Sequence, residues 1–261
     1  MTDIEINRSV KARPIQDVAD QLGIQASELL PYGKLKAKVS LDVLERLHAA
    51  PLGRYVLVTA INPTPLGEGK TTTSIGLAMG LSRLGHRTAV TLRQPSLGPV
   101  FGIKGGGTGG GRAQVLPMEE INLHLTGDAH AVSASHNLLS AFVDNHLFHG
   151  NALQVDQNRI TWPRTLGVSD RALRQVSLGE GTAGRTGQFV ITEASEVMAM
   201  LALASSQADL RRRLGQIIVG FTTDGTPVRA EEFGCAGSMA VLLREALLPN
   251  LVQTLEGTAA F

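Results

Sequence analysis

One short run of residues has the composition and spacing of a phosphate-binding site. It reads, in chain order, Pro63, Thr64, Pro65, Leu66, Gly67, Glu68, Gly69, Lys70, Thr71 and Thr72. A glycine-containing turn that leads into a helix directs backbone N–H groups and the positive helix end toward one point, where a phosphate fits. The spacing matches G-x-x-x-x-G-K-[ST], except that Thr64 takes the first glycine position. The alternative is an ordinary glycine-rich turn with a solvated lysine.

Lys70 and Thr71 would supply the chemistry of this loop. The Lys70 ammonium adds a positive charge beside the terminal phosphates of a nucleotide, and the Thr71 hydroxyl suits Mg²⁺. Thr71 is therefore the expected metal ligand. The expected nucleotide contacts are Thr64, Pro65, Leu66, Gly67, Glu68, Gly69, Lys70 and Thr71.

The segments on either side of the loop predict a β-α-β unit. Residues 55–61 are apolar and indicate a buried strand, residues 73–84 have helical spacing, and residues 86–93 indicate a second strand. Such a unit requires parallel strands joined by a right-handed crossover. We therefore expect an α/β fold of the P-loop type, with a mostly parallel sheet flanked by helices in three α/β/α layers.

Arg93 closes the second predicted strand. Ligands of open α/β sheets bind at the carboxyl ends of the strands, so Arg93 should point toward the same cleft as the loop. Its guanidinium there suits a phosphate or a carboxylate in bidentate geometry. The alternative is a solvated arginine at a strand end.

Residues 98–111 form a second glycine-rich stretch, which ends in Gly105–Gly107 and Gly109–Gly111. It is either a flexible linker or a loop whose backbone approaches a ligand closely. Its position soon after the strand that ends at Arg93 favours the second interpretation.

Three histidines, His124, His130 and His136, follow one another at intervals of six residues. This spacing cannot place them on one helical face, so it gives little support to a zinc site. His124 and His130 flank a loop-like segment, where polar side chains are often functional. The only cysteine, Cys235, has no base beside it and is expected to pack in the core.

The other patterns predict mainly helices. Helices are expected at residues 14–22, 40–49, 135–148, 196–205 and 210–214, a strand at 216–222, and a last helix at 238–248 capped by Ser238. No closing element is expected after that helix. We interpret residues 1–261 as one nucleotide-binding domain with the helical segments of residues 1–50 packed on it.

Composition argues against several classes of protein. The net charge is +1 and aromatic residues make up 4% of the chain, so a nucleic-acid-binding surface is not expected. One cysteine excludes an internal disulfide and suits a reducing compartment. A polar start without a signal peptide, and the lack of a membrane-length apolar run, predict a cytoplasmic protein.

Several ordered segments together resemble formate–tetrahydrofolate ligase. The resemblance covers nearly the whole chain, and its most specific parts are residues 63–72, 95–99, 101–106, 117–119, 122–124, 126–128, 144–146 and 194–199. It implies that formate attacks the γ-phosphate of ATP to give formyl phosphate, and that N10 of tetrahydrofolate then takes the formyl group. It also implies Mg²⁺, a monovalent cation and a tetramer.

The resemblance gives the candidate residues roles in this reaction. Lys70 would stabilise the transferring phosphoryl group, Arg93 would hold formyl phosphate, and His124 and His130 match family positions near the site. The later family regions, which supply folate contacts, are absent here. Gln94 replaces the usual Glu, and Arg112, Val190, Glu193 and Gly257 are also unusual for the family.

Three functions remain open from the sequence. The chain is the ATP and formate half of the ligase, acting with folate and a missing half on the same or a separate chain. Alternatively, it is a non-catalytic ATP-binding or assembly module, in which ATP binds without formate dependence. The third function is a P-loop nucleotide-switch ATPase, stimulated by a protein partner and indifferent to formate.

Overall fold

The computed structural model of the 261-residue chain describes residues 1–62, 64, 67–95, 97–101, 107–179 and 184–261. These residues form two compact units. The first unit consists of Met1–Thr126 and Leu248–Phe261, and the second consists of Gly127–Leu247. None of the helices in the described ranges has both the length and the apolar character that crossing a bilayer requires.

The elements are numbered in chain order. The helices are α1 (Asp3–Ser9), α2 (Ile15–Leu22), α3 (Asp42–Arg46), α4 (Lys70–Arg83), α5 (Leu97–Val100), α6 (Met118–Leu123), α7 (Asp128–Phe148), α8 (Glu196–Leu203), α9 (Gln207–Gly215) and α10 (Ala236–Leu242). The strands are β1 (Leu29–Pro31), β2 (Ala37–Val39), β3 (Ala89–Val90), β4 (Gly109–Gly110), β5 (Ala113–Leu116), β6 (Arg164–Leu166), β7 (Val176–Leu178), β8 (Arg185–Gly187), β9 (Phe189–Ile191), β10 (Ile218–Phe221), β11 (Pro227–Arg229), β12 (Asn250–Thr254) and β13 (Ala259–Ala260).

The first unit contains a seven-stranded sheet with the order β1-β2-β12-β13-β3, in which β5 also pairs with β12, and β4 with β5. The pairing of β13 with β3 is parallel, and the other pairings of this sheet are antiparallel. The chain is therefore a mixed α/β protein, as expected. The prediction of a mostly parallel sheet is wrong, because strands from distant parts of the chain meet in antiparallel ladders.

The strand expected at residues 55–61 is absent from the structure. Residues 51–60 have no assigned secondary structure, and Tyr55, Leu57 and Ile61 are 81%, 70% and 100% exposed. The second predicted strand is reduced from residues 86–93 to Ala89–Val90. An apolar run forms a buried strand only if neighbouring strands pair with it and another layer covers it. The sequence of the run itself does not determine whether those partners are present.

The C-terminal segment closes the sheet, contrary to the expectation of no closing element. β12 pairs with β2 at Asn250 and Leu251 and with β13 at Val252 and Gln253. The polar residues Asn250, Gln253 and Thr254 interrupt the apolar pattern by which a buried strand is predicted from sequence. Gln253 is buried, and its amide keeps two hydrogen bonds there. It accepts from the backbone N–H of Arg13 (3.0 Å) and donates to the Arg13 carbonyl (2.8 Å), which offsets the cost of burying it.

The N-terminal helical segments pack on this unit. Helix α2 buries Ile15, Val18 and Ala19 in a cluster with residues of β2, β12 and β13. It ends at Gly23 with φ +75°, a conformation that glycine favours at the end of a helix. The helix expected at residues 40–49 is shorter, Asp42–Arg46, and buries none of its residues.

Helix α4 supports the candidate loop. It begins at Lys70, three residues before the predicted start, and continues to Arg83. Ile75, Ala78 and Met79 are buried in a cluster with apolar residues of β3, β5, α6, β12 and β13. Burying a side chain such as Ile75 contributes about 2 kcal/mol, so this face fixes the helix that follows the loop.

The second unit is built around helix α7, which begins seven residues before the predicted helix at 135–148. Its core includes Val132, Leu139 and Val143 of α7 together with Trp162, Leu210 and Met239. Ser195 caps α8, since its hydroxyl accepts from the Val197 N–H. The expected cap at Ser238 is wrong: α10 begins at Ala236, within a buried stretch that starts at Cys235.

Candidate functional site

The junction between the candidate loop and helix α4 depends on two glycines. Gly67 and Gly69 have φ values of +90° and +72°, a region that L residues with a side chain rarely adopt. Gly69 is the residue before the helix, and the Gly67 N–H donates to the Thr64 carbonyl (3.2 Å) across a turn. The backbone thus favours glycine at the second glycine position of the motif, Gly69, and at Gly67, which the motif leaves open. Pro65 and Leu66, also expected to contact nucleotide, lie outside the described residues.

The helix end after the loop is open to an anion. Among the described residues no side chain caps the N-terminus of α4, and its first turn contains no acidic residue. The first N–H groups of a helix have no partners within the helix, and the helix dipole adds positive potential there. The geometry therefore suits a phosphate group.

Glu68 is the charged residue that the loop brings against Lys70. Its carboxylate accepts a hydrogen bond from the Lys70 ammonium and another from the Thr64 backbone N–H. The Lys70 contact, with the Thr64 bond second, lowers the pKa of Glu68 to about 2. The Glu68 side chain is 14% exposed and that of Lys70 is 45% exposed. The sequence pattern predicts only a nucleotide contact for Glu68 and gives no sign of this ion pair.

Thr71 lies in the first turn of α4 and is partly buried. Its hydroxyl is a hard oxygen ligand of the kind that Mg²⁺ prefers. By contrast, the nearby Ser74 hydroxyl donates to the Lys70 carbonyl (2.8 Å) and satisfies the helix backbone. The position and chemistry of Thr71 fit the expected metal role.

Arg93 follows the strand that packs along α4. The Leu92 N–H donates to the Phe261 carbonyl (2.8 Å), so the ladder started by β3 reaches the residue before Arg93. A short connection joins α4 to this strand, which therefore runs back along the helix, so we expect Arg93 at the end where α4 begins. Arg93 is exposed and has no hydrogen bond or ion pair with any residue in the described ranges. The structure does not bring its side chain into contact with Lys70.

The two candidate histidines belong to different units. His124 follows α6 in the first unit, and His130 lies in the first turn of α7 in the second unit. Both side chains are exposed. The role of each in catalysis stays a prediction.

The second glycine-rich stretch approaches α4 closely in its described part, Gly107–Gly111. Gly109 has φ +86°, and a Cβ there would meet the Ala113 carbonyl oxygen and lie 2.8 Å from Ile75 Cδ1. The Gly107 N–H donates to the Asn122 side chain (3.1 Å). These residues are therefore packed against protein and are not a flexible linker; residues 102–106 lie outside the described part.

His136 has a structural environment that its spacing did not reveal. It is 1% exposed and stacks on Trp162 with ring centroids 4.0 Å apart. Nε2 lies 2.9 Å from the Pro163 carbonyl, which can only accept, so Nδ1 accepts from the Ser195 hydroxyl at 2.7 Å. Burial lowers the pKa of His136 to about 4, although the Pro163 bond opposes that shift. His136, Trp162 and Ser195 are all buried, so His136 is a packing residue of the second unit.

Other residues of the recognised segments are also structural. Asp144 pairs with Arg164 and with Arg185 (2.6 Å), joining α7 to β6 and β8. His146 Nε2 accepts from the Leu153 N–H (3.0 Å). Cys235 is buried, and this desolvation raises the pKa of its thiol to about 11, as suits a packing residue.

The structure shows the local environment of two of the residues that are unusual for the family, Gly257 and Glu193. Gly257 has φ +79° in the turn between β12 and β13, where glycine is favoured. Burial raises the pKa of Glu193, and its Oε2 is buried with no hydrogen-bond partner among the residues described. Nothing in the structure explains Gln94, Arg112 or Val190.

Comparison with known proteins identifies the family. The profile described as formate–tetrahydrofolate ligase matches residues 1–261. The chain belongs to the formate–tetrahydrofolate ligase family. It is 57% identical to the ligase of Saccharopolyspora erythraea over 98% of this chain and 46% of that protein. It is 56% identical to the ligase of Roseiflexus sp. strain RS-1, over 100% of this chain and 47% of the relative.

The match covers only part of the formate–tetrahydrofolate ligases. The relative from Methylococcus capsulatus is 57% identical over 100% of this chain and 48% of its own length. The chain thus spans about half the length of the curated relatives it matches, and corresponds to the N-terminal part of the family.

Proposed function

We propose that this chain carries the ATP and formate half of an ATP-dependent formate–tetrahydrofolate ligase. The observation that supports this most strongly is the junction of Gly67, Gly69 and Lys70 with the uncapped start of α4. In the proposal it is a P-loop-type phosphate site, and residues 1–261 serve as one nucleotide-binding part. Membership of the ligase family supports formate as the acceptor of the phosphoryl group.

The proposed reaction has two steps. A formate oxygen attacks the γ-phosphorus of ATP, the bond from that phosphorus to the β–γ bridging oxygen breaks, and ADP leaves. The N10 amine of tetrahydrofolate then attacks the formyl carbon of formyl phosphate. The bond from that carbon to the phosphate oxygen breaks, the amine loses its proton, and 10-formyltetrahydrofolate and phosphate are formed.

The loop residues stabilise charge in the first step. The backbone N–H groups at Gly67, Gly69 and the start of α4 bind the phosphates, and the Lys70 ammonium neutralises charge on the terminal groups. Thr71 would hold Mg²⁺, which supplies further positive charge at the β- and γ-phosphates when bound.

Arg93, His124 and His130 are proposed to act on the acyl phosphate. Arg93 supplies a bidentate cation for formyl phosphate, and its exposed guanidinium is compatible with that role. The histidines are proposed to bind the same intermediate or the reacting formate. Formyl phosphate reacts with water, so the site must exclude water until the amine arrives.

The proposal includes other participants that the resemblance implies. These are a monovalent cation, and either a homo-oligomer or a complementing chain that brings folate contacts. We also propose a cytoplasmic location, because the single cysteine and the folate substrate suit a reducing compartment.

The test measures formyl phosphate directly. The chain is incubated with Mg·ATP and formate, and the acyl phosphate is trapped with hydroxylamine as the hydroxamate. We expect hydroxamate and ADP to form only when formate is present, and Lys70→Ala to lower both by roughly a hundredfold or more, because it removes a charge on the transferring group. The exposed Lys11→Ala of the same unit is the matched control.

The outcomes separate the alternative functions. ATP binding without formate-dependent ADP would favour the non-catalytic module. ATP hydrolysis that ignores formate would favour the nucleotide-switch ATPase. Either result contradicts the proposed activity for this chain.

A further inference from the structure

We infer that Glu68 is an intramolecular competitor for the nucleotide phosphates, and that it leaves the loop donors when ATP binds. The inference rests on the proposed function, since it concerns the same phosphate site. It assigns Glu68 to the regulation of nucleotide affinity and not to holding the nucleotide.

The contacts of Glu68 are those that a phosphate group would make. One carboxylate oxygen accepts from the Lys70 ammonium, and the other accepts from the Thr64 backbone N–H. Lys70 and the loop backbone are the donors that a P-loop directs at phosphate. The carboxylate therefore presents two anionic oxygens to two phosphate donors.

The burial of the two side chains is unequal in a way that supports competition. The Glu68 side chain is 14% exposed and therefore packs against the loop. The Lys70 side chain is 45% exposed and accessible to a ligand. While Glu68 is paired with Lys70, the two charges cancel, so the pair adds no net positive charge for binding a triphosphate.

Glu68 stays ionised throughout the working range of pH. The Lys70 contact and the Thr64 hydrogen bond hold the pKa of its carboxyl at about 2. A negative carboxylate and a negative phosphate repel each other at short range, so both cannot share these donors. ATP must displace the carboxylate, and part of its binding free energy is lost in doing so.

The test compares the affinity of Mg·ATP for the wild-type chain and for Glu68→Gln by calorimetric titration. The neutral amide frees the Lys70 ammonium and removes the repulsion. Because a partly exposed ion pair is a weak interaction, we expect ATP to bind only about fivefold more tightly. Glu68→Ala, which also frees the Thr64 N–H, should show an increase at least as large.

The matched control is Glu256→Gln. Glu256, in the turn between β12 and β13, pairs with Arg83 at 3.5 Å at the other end of α4, so this variant removes one negative charge beside the same helix but away from the loop. Its affinity for ATP should equal that of the wild type. The comparison removes the general effect of one less negative charge.

The result decides between two roles for Glu68. Equal or weaker binding by Glu68→Gln, with binding intact in the wild type, would overturn the competition and leave the proposed function standing. If neither protein binds Mg·ATP, the phosphate site itself fails and the competition fails with it. Tighter binding by Glu68→Gln but not by Glu256→Gln supports the inference.

Discussion

Lys70 and Arg93 are both cations, but they differ in their surroundings. Lys70 is paired with Glu68 in the loop, whereas Arg93 has no ion pair among the described residues. This difference assigns them separate tasks in the proposal. Lys70 contacts the nucleotide in the ground state, and Arg93 acts on the group that forms during the reaction.

Replacing Arg93 tests this separation. We expect Arg93→Ala to bind Mg·ATP within about twofold of the wild type but to lose roughly a hundredfold or more of formyl phosphate formation, because the charge that stabilises the acyl phosphate is missing. Calorimetry and hydroxylamine trapping measure the two effects. Arg87→Ala, at an exposed arginine just ahead of β3, is the control. Normal hydroxamate yield from Arg93→Ala would remove Arg93 from the site.

His136 makes stability depend on pH. Its ordinary pKa of 6.5 is lowered to about 4 by burial in the folded chain. The unfolded chain therefore binds the proton first, so stability is complete above pH 6.5 and falls as the pH drops toward 4. The loss approaches about 1.4 kcal/mol per pH unit and about 3 kcal/mol in total.

Urea unfolding between pH 7 and pH 5 measures this loss. Trp162, the only tryptophan, stacks on the imidazole, so its fluorescence reports unfolding of this region. His136→Gln keeps a donor for the Pro163 carbonyl but does not titrate, and its stability should vary less over this range. An equal pH dependence in both proteins would show that His136 is not its source.

At the scale of elements, the loop, α4 and the described glycine-rich stretch form one packed assembly. Gly109 lies against Ile75 of α4, and Ile75 is fully buried. The position of the helix that follows the candidate loop thus depends in part on close packing at Gly109. The contact with Ile75 gives the second glycine-rich stretch a packing role. The sequence suggested a different role, in which its backbone approaches a ligand closely.

Gly109→Ala should disturb this assembly. The positive φ and the collision with the Ala113 carbonyl together predict a loss of about 2–4 kcal/mol in the free energy of unfolding. Gly85→Ala is the matched control: Gly85 has φ +88° but open space around it, so only backbone strain of about 1 kcal/mol is expected. Urea denaturation of both variants measures the difference. If both variants lost the same free energy of unfolding, the backbone around Ala113 would have moved to accept the new Cβ at little cost.

At the scale of the whole molecule, the sequence predicts what depends on near neighbours. The helix predicted at residues 14–22 and the helix that follows the candidate loop both depend on local patterns, and the structure confirms them as α2 and α4. The ion pair of Glu68 with Lys70 is local too, but loop conformation decides which charges meet, and spacing alone does not.

The expectations that depended on distant partners were less successful. The apolar run at 55–61 has strand-like composition but finds no ladder in the described structure. Asn250–Thr254 has a less regular pattern, yet it becomes a central strand because β2 and β13 accept its backbone hydrogen bonds. The buried amide of Gln253 is satisfied by Arg13, a residue far away in the chain.

The sheet position of β12 has a consequence for synthesis on the ribosome. Its ladder with β2 joins Leu251 to Ala37, so the first unit cannot complete its hydrogen bonds until translation has passed the whole of Gly127–Leu247. Nascent chains still being elongated must therefore carry an open sheet edge at β2 while the inserted unit already has all its own residues. During that interval helix α4 also lacks Val252 of β12 and Ala260 of β13, with which its buried face packs.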